Sequence, residues 1–319
     1  MSLHPQVAEL LKMFEQRGLL PLEEQELMEA RTAFESSAKV LSKAENIVNT
    51  EDRYIKGFND DIKIRIYSPD KEGPLPVLVY YHGGGWVIGT IESHDALCHS
   101  LSYLAECKVI SVDYSLAPEN RFPVAVEDAY LAVKWLQDHT AELGIDKDRI
   151  AVGGDSAGGN LAAVVSYLAN QRNELQISYQ LLFYPSTGFD FTESYEKYGD
   201  GYHLTKPLMK WFREQYLTSI EDTQNPLAAP MLIPDKDTAS MPPAYILTAE
   251  YDPLCDGGEA FARKLQAARV ATEYICYPGM IHGFLGMNAY LDDANLAIME
   301  AAKHLKLHFE KELEGRNVR

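Results

Sequence analysis

Residues 150–160 read Ile150-Ala151-Val152-Gly153-Gly154-Asp155-Ser156-Ala157-Gly158-Gly159-Asn160. Inside this stretch, Gly154 to Gly158 spell G-x-S-x-G, expected by chance about 0.07 times in a chain with these Gly and Ser contents. The bland reading is a glycine-rich helix entry that happens to hold a serine. Its flanks argue otherwise. A short apolar strand, Ile150–Val152, leads in, and a helical stretch from Asn160 leads out. A strand-to-helix turn that tight needs glycines around the serine, because a Cβ there would clash. It holds the serine side chain out at the carboxyl edge of a sheet, above a helix N-terminus that favours developing negative charge.

Reading outward, the same grammar repeats. Short, almost wholly apolar runs occur at Val77–Tyr81, Val109–Val112, Ile150–Val152, Gln180–Tyr184, Ala244–Thr248 and Glu273–Tyr277. Helical stretches such as Val126–His139 and Asn160–Gln171 separate most of them. Apolar strands alternating with helices predict a parallel sheet covered on both faces. Two further runs, Tyr54–Phe58 and Ile62–Tyr67, flank Asn59-Asp60-Asp61 and suit an antiparallel hairpin. The expectation is an α/β fold with eight strands, the second antiparallel.

Two regions stand outside this alternation. Near the N-terminus, Pro5 suits a helix start, Val7, Leu10, Leu11 and Phe14 share a helical face, and Gly18 ends the segment. A second helix is expected from Pro21 toward Ser37. Residues 187–225 hold a Gly199-Asp200-Gly201 turn and a helix opening near Thr205 and Pro207, with Leu208, Trp211, Phe212 and Tyr216 on one face. That aromatic stripe is either ordinary core packing or a lid facing a substrate.

A serine hydroxyl is a weak nucleophile and needs a base, which needs an orienting carboxylate. Of nine histidines, His304 and His308 sit i,i+4 on a charged terminal helix that lacks the zinc-protease pattern. His282 follows the last strand, in the loop Gly279–Phe284, and opens at the same sheet edge as Ser156. The acid is expected from the end of the preceding strand, where Asp252 stands before Pro253, with Glu250 and Asp256 as competitors. The order Ser156, Asp252, His282 is that of α/β-hydrolases. After strand Val77–Tyr81 comes His82-Gly83-Gly84-Gly85-Trp86, whose glycines fit neither a dinucleotide loop nor a P-loop. Consecutive glycines let backbone N–H groups approach an oxygen closely, so Gly83 and Gly84 with Ala157 are the expected oxyanion hole. His82 and Gly85 are expected to support the loop.

Composition excludes several alternatives. The 319 residues carry 29 Lys+Arg against 47 Asp+Glu, a net charge of −18, which disfavours nucleic acid and anionic membrane surfaces as partners. With 46% hydrophobic residues the chain can bury a sizeable core. Cys98, Cys107, Cys255 and Cys276 form no C-x-x-C pair, and no signal peptide or membrane-length apolar run is evident, so a cytoplasmic protein is expected.

From about Pro76 to Phe284 the chain resembles the hormone-sensitive-lipase-like carboxylesterases, the bacterial family IV lipolytic enzymes. The resemblance rests on His82–Trp86, Gly154–Gly159, Asp252-Pro253-Leu254 with Asp256, and His282-Gly283-Phe284. It implies an α/β-hydrolase core (residues 49–186 and 226–319) under a helical cap (1–48 and 187–225). It also implies hydrolysis of short- to medium-chain esters without a cofactor; no metal site is expected. Trp86, Tyr184, Trp211 and Phe212 are the candidate lining of the substrate pocket. One departure is Ser115, where the family's Tyr-Arg-Leu-Ala-Pro-Glu run has arginine. Two other readings share these motifs: an amide hydrolase similar to arylacetamide deacetylases, and a non-catalytic receptor, which His282 argues against. The last strand would be a sheet edge, so the chain is expected to be a monomer or a homodimer paired along it.

Overall fold

A computed structural model describes residues 2–317. Its centre is one eight-stranded sheet: β1 (Asn49–Lys56), β2 (Asp61–Ser68), β3 (Leu75–Tyr81), β4 (Lys108–Asp113), β5 (Ile145–Asp155), β6 (Tyr179–Phe183), β7 (Ala244–Tyr251) and β8 (Thr272–Ile281). The spatial order is β1-β2-β4-β3-β5-β6-β7-β8, with only β2 antiparallel to its neighbours. Side chains alternate across the sheet. Val77, Val79 and Tyr81 of β3 enter one buried cluster, whereas Leu78 and Tyr80 enter the other. Both faces are therefore covered, which is why the central strands read as unbroken apolar runs.

On the first face lie α4 (Val124–Asp138), α5 (Ala157–Arg172) and α9 (Cys255–Ala267), through Leu136, Leu161, Leu168, Phe261 and Leu265. The second face is covered by α3 (Asp95–Ala105) and the long α10 (Asp292–Asn317), through Leu101, Leu305 and Phe309. Helix α1 (Pro5–Arg17) joins that side through Val7 and Leu10. Among the described residues no helix is long and apolar enough to cross a membrane.

The edges depart from expectation for identifiable reasons. β1 begins at Asn49, five residues before the predicted Tyr54, because Asn49 pairs with Ser68 and the ladder runs unbroken to Lys56. As a sheet edge it buries only Ile55, so its first residues carry no apolar alternation. The second N-terminal helix, α2, spans Leu27–Leu41. Pro21 instead opens a single 3-10 turn at Leu22–Glu24, and Gln25 is extended, breaking the chain before α2 starts. Helix α1 is as expected: the His4 side chain accepts the Gln6 N–H, and Gly18 closes it at φ 58°.

Helix α2 is tied to the sheet side by Arg31. Its guanidinium donates to both Glu119 carboxylate oxygens at 2.8 and 2.7 Å, and to the carbonyls of Ala117 and Val87 at 2.9 Å each. The run Tyr114–Glu119 thus receives its arginine contact from another element, while Ser115 donates its backbone N–H to the buried Asp128. The insertion after β6 contains α6 (Glu193–Tyr198) and α7 (Lys206–Tyr216), the latter capped by the Thr205 side chain. A four-residue helix, α8 (Asp235–Thr238), precedes β7.

Candidate active site

Three strands deliver the three expected residues. β5 ends at Asp155, β7 at Tyr251 and β8 at Ile281, so Ser156, Asp252 and His282 each stand one residue beyond a strand end. For β7 and β8 this required extension past the apolar runs visible in sequence. The pair bulges between Ala249 and Tyr251 and then resumes with Tyr251 opposite Ile281, which carries β8 through Pro278-Gly279.

The Ser156 hydroxyl lies 2.9 Å from His282 Nε2, and His282 Nδ1 lies 2.7 Å from Asp252 Oδ2. The other Asp252 oxygen accepts the Leu254 N–H at 2.8 Å. Asp252 is fully buried. Its competitors are engaged elsewhere: Glu250 accepts the Gly279 N–H and Asp256 the Ser194 N–H. His304 pairs with Glu273, and His308 stacks on Tyr179, both away from this cluster.

Ser156 has φ 55° and ψ −116°, a strained conformation for a residue with a side chain. Its backbone is pinned on both sides, the N–H donating to the Phe183 carbonyl and the carbonyl accepting from Asn160 and Ser186. The turn closes because Gly158 packs directly on the Tyr81 carbonyl, leaving no room for a Cβ.

The glycine loop corrects one expectation. The N–H of Gly83 donates to Asp155 Oδ1 at 2.9 Å, so it is not free to meet a substrate oxygen. Among the described residues, the N–H groups of Gly84, Gly85 and Ala157 have no hydrogen-bond partner. Gly85, expected only to support the loop, thus presents the free N–H that Gly83 does not. At φ 60° it also lies under the Phe212 ring, so helix α7 rests on the loop. His82 stacks on Tyr114 at 4.4 Å, and its Nδ1–H donates to the Gly83 carbonyl at 2.8 Å. Burial, with help from His94, pushes the His82 pKa down to about 3, so this imidazole is neutral.

Asp155 forms a second buried cluster that sequence reading did not reveal. The Tyr80 hydroxyl donates to Oδ1 at 2.8 Å, and His94 Nε2 lies 3.2 Å from the same oxygen. Burial raises the Asp155 pKa, but the electrostatic attraction and hydrogen bond of His94 and the Tyr80 hydrogen bond outweigh it, so the net shift is downward. A carboxylate whose pKa is depressed in the fold stabilises it above the unfolded carboxyl pKa. That stability is lost as pH falls through the lower folded value. Replacing Asp155 by Asn sets an amide N–H₂ among groups that donate to it. The expected result is a loss of about 2–3 kcal/mol by thermal or urea unfolding and, because the glycine loop loses its anchor, a fall in kcat of about tenfold or more.

Above the cluster lies a cavity of about 660 Å³. Its wall includes Phe14 of α1, Phe34 of α2, and Leu208 and Phe212 of α7, so the helices outside the sheet alternation border it. Of the aromatic residues singled out, Trp86, Tyr184 and Phe212 line it. Trp86 stacks on Tyr216 at 4.2 Å, and the Tyr184 ring lies 4.9 Å from that of His282. Trp211 does not line the cavity. A helix turns about 100° per residue, so with Leu208, Phe212 and Tyr216 facing inward, Trp211 lies to one side, half-buried and touching the Phe212 ring. Among the described residues no group of acidic, His or Cys side chains is arranged to hold a metal ion.

Comparison with known proteins agrees with this architecture. Residues 78–286 match the α/β-hydrolase fold family. The chain is 39% identical over 289 residues to an arylesterase of Saccharolobus solfataricus, covering 90% of this chain and 93% of that one. It is 37% identical over 319 residues to an ethyl acetate hydrolase of Pseudomonas putida, covering 97% and 100%. Among solved structures, an ester-hydrolase from the Lake Arreo metagenome, complexed with a bipyridine phosphonate derivative, superposes with a TM-score of 0.93 at 37% identity, covering 97% and 99%. A hyperthermophilic esterase from the archaeon Pyrobaculum calidifontis gives 0.90 at 38% identity, covering 96% and 98%. The chain belongs to the α/β-hydrolase fold family and, within it, to the hormone-sensitive-lipase-like esterases, enzymes that hydrolyse carboxylic esters.

Proposed function

We propose that the protein is a serine carboxylesterase acting on short-chain esters, with Ser156 as nucleophile, His282 as general base and acid, and Asp252 as the orienting carboxylate. The observation that carries this is the unbroken contact from Asp252 through His282 to Ser156, at 2.7 and 2.9 Å, at the floor of a largely apolar cavity. Ser156 Oγ attacks the ester carbonyl as its proton passes to His282 Nε2. The carbonyl oxygen gains negative charge and is met by the N–H groups of Gly84, Gly85 and Ala157, which are otherwise unpartnered among the described residues. His282 then gives the proton to the departing alkoxide, leaving an acyl-enzyme. Water, deprotonated by the same imidazole, attacks the acyl carbon and regenerates Ser156. Asp252 stabilises the imidazolium and holds the tautomer with Nδ1–H toward itself.

In this reading α1, α2, α6 and α7 are a cap over the site. A butyryl group leaves room for the alcohol part within about 660 Å³. Hydrolysis of p-nitrophenyl butyrate should therefore exceed that of the palmitate ester on the order of tenfold in kcat/KM, measured below the aggregation limit of the longer substrate. Faster palmitate turnover would exclude the short-chain assignment. Failure to hydrolyse any ester in a panel of acyl and alcohol variants would exclude the esterase reading itself.

A further inference from the structure

The loop between α6 and α7 places one residue in the cavity that the mechanism above does not use. His203 has φ 65°, a left-handed conformation uncommon for residues with a side chain. Non-glycine residues persist in such conformations where surrounding structure holds them, and they cluster at functional sites. The residue is exposed and lines the cavity. The ring stands beside Gly283, the neighbour of His282: a Cβ built on Gly283 would lie 3.9 Å from both Cδ2 and Nε2 of His203. Its ring contact is with Phe14, at 5.7 Å between centroids. Among the described residues neither ring nitrogen has a hydrogen-bond partner within the protein. Enclosure by the cavity walls, with a contribution from His282, lowers its pKa, so near neutral pH it offers one N–H donor and one nitrogen acceptor without charge.

We propose that His203 is a specificity-determining residue that binds a hydroxyl group on the alcohol part of the substrate, so that the enzyme favours partial esters of diols or triols over plain alkyl esters. The inference rests on the triad reading. The leaving oxygen must come within reach of His282 to be protonated, so the alcohol part lies on the His282 side of the cavity, where His203 stands. A hydroxyl one carbon beyond the ester CH₂ can accept from the N–H of a neutral imidazole or donate to its bare nitrogen. An alkyl group in the same place displaces water from the imidazole and gives it no partner in return, and sites built to bind a hydroxyl discriminate strongly against analogues that lack it.

The test compares 2-hydroxyethyl butyrate with propyl butyrate, which differ by OH in place of CH₃, on the full-length protein. Wild type is expected to favour the hydroxyethyl ester by about tenfold or more in kcat/KM. His203→Phe should shift that ratio at least tenfold toward the propyl ester. His203→Asn tolerates the left-handed backbone and keeps a donor and an acceptor, so it should retain more of the preference than Phe. The two variants separate hydrogen bonding from loss of ring shape or of loop order. A wild type that favours propyl butyrate overturns the proposal, even if the Phe variant fails to fold. So does a ratio unchanged in His203→Phe, or an equal loss in both variants. If wild type hydrolyses neither ester, it is the esterase reading that fails.

Discussion

Ser156→Ala should reduce hydrolysis of p-nitrophenyl butyrate by at least about 10⁴-fold while leaving the fold in place. The substitution removes one oxygen and nothing that holds the turn. The strained backbone at 156 is held by main-chain bonds to Phe183, Asn160 and Ser186, and the His282–Asp252 contact does not pass through the hydroxyl. What remains is the set of free N–H groups and the cavity, which can polarise and bind an ester but offer no atom to form the acyl-enzyme. The melting temperature should stay within roughly 3 °C of wild type, since no buried methylene or hydrogen-bonded backbone group is lost. A fluorophosphonate probe should add its mass to wild type and leave the variant unlabelled. Residual turnover above about one per cent, or labelling of the variant, would remove Ser156 from the nucleophile role.

Gly158→Ala should act in the opposite way, through the fold. A Cβ at 158 would run into the Tyr81 carbonyl and come within 2.7 Å of the His82 carbonyl. Both atoms are backbone, at the junction of β3 with the glycine loop, so neither can move aside without shifting the sheet or the oxyanion donors. A cost above about 3 kcal/mol is expected, read as a fall in melting temperature of roughly 6 °C or more, or as loss of soluble protein. Any variant recovered in soluble form should also be impaired in kcat, because moving the Tyr81–His82 backbone moves Gly84 and Gly85. A fully active Gly158→Ala protein of unchanged stability would contradict the tight turn. The pair of experiments separates the chemistry of the turn from its architecture.

Much of the site was legible because the elements that build it announce themselves locally. The apolar runs located every central strand, and the order Ser156, Asp252, His282 at three strand ends selected residues that lie in contact. The exceptions share a cause. Gly83 and Gly85 look alike in a row of three glycines, and what divides them is the carboxylate of Asp155, brought from β5 to take one N–H and leave the other. Trp211 and Phe212 are adjacent aromatics on one amphipathic helix, and the phase at which α7 docks decided which of them reaches the cavity. His94 and His203 belong to no motif. Each matters through what stands beside it: Asp155 for the first, Gly283 for the second.

The amino-acid order alone determined the doubly covered sheet, the tight turn at Ser156 and the three residue types that the proposed acyl transfer needs. These depend on backbone requirements and apolar periodicity, which neighbouring residues express directly. Only the packed molecule decided which N–H groups stay free, which aromatic rings line the cavity and which unpaired imidazole faces it. Those outcomes depend on hydrogen bonds and contacts a few ångströms long between segments tens to hundreds of residues apart, and such distances come into being only when the sheet and its covering helices close together.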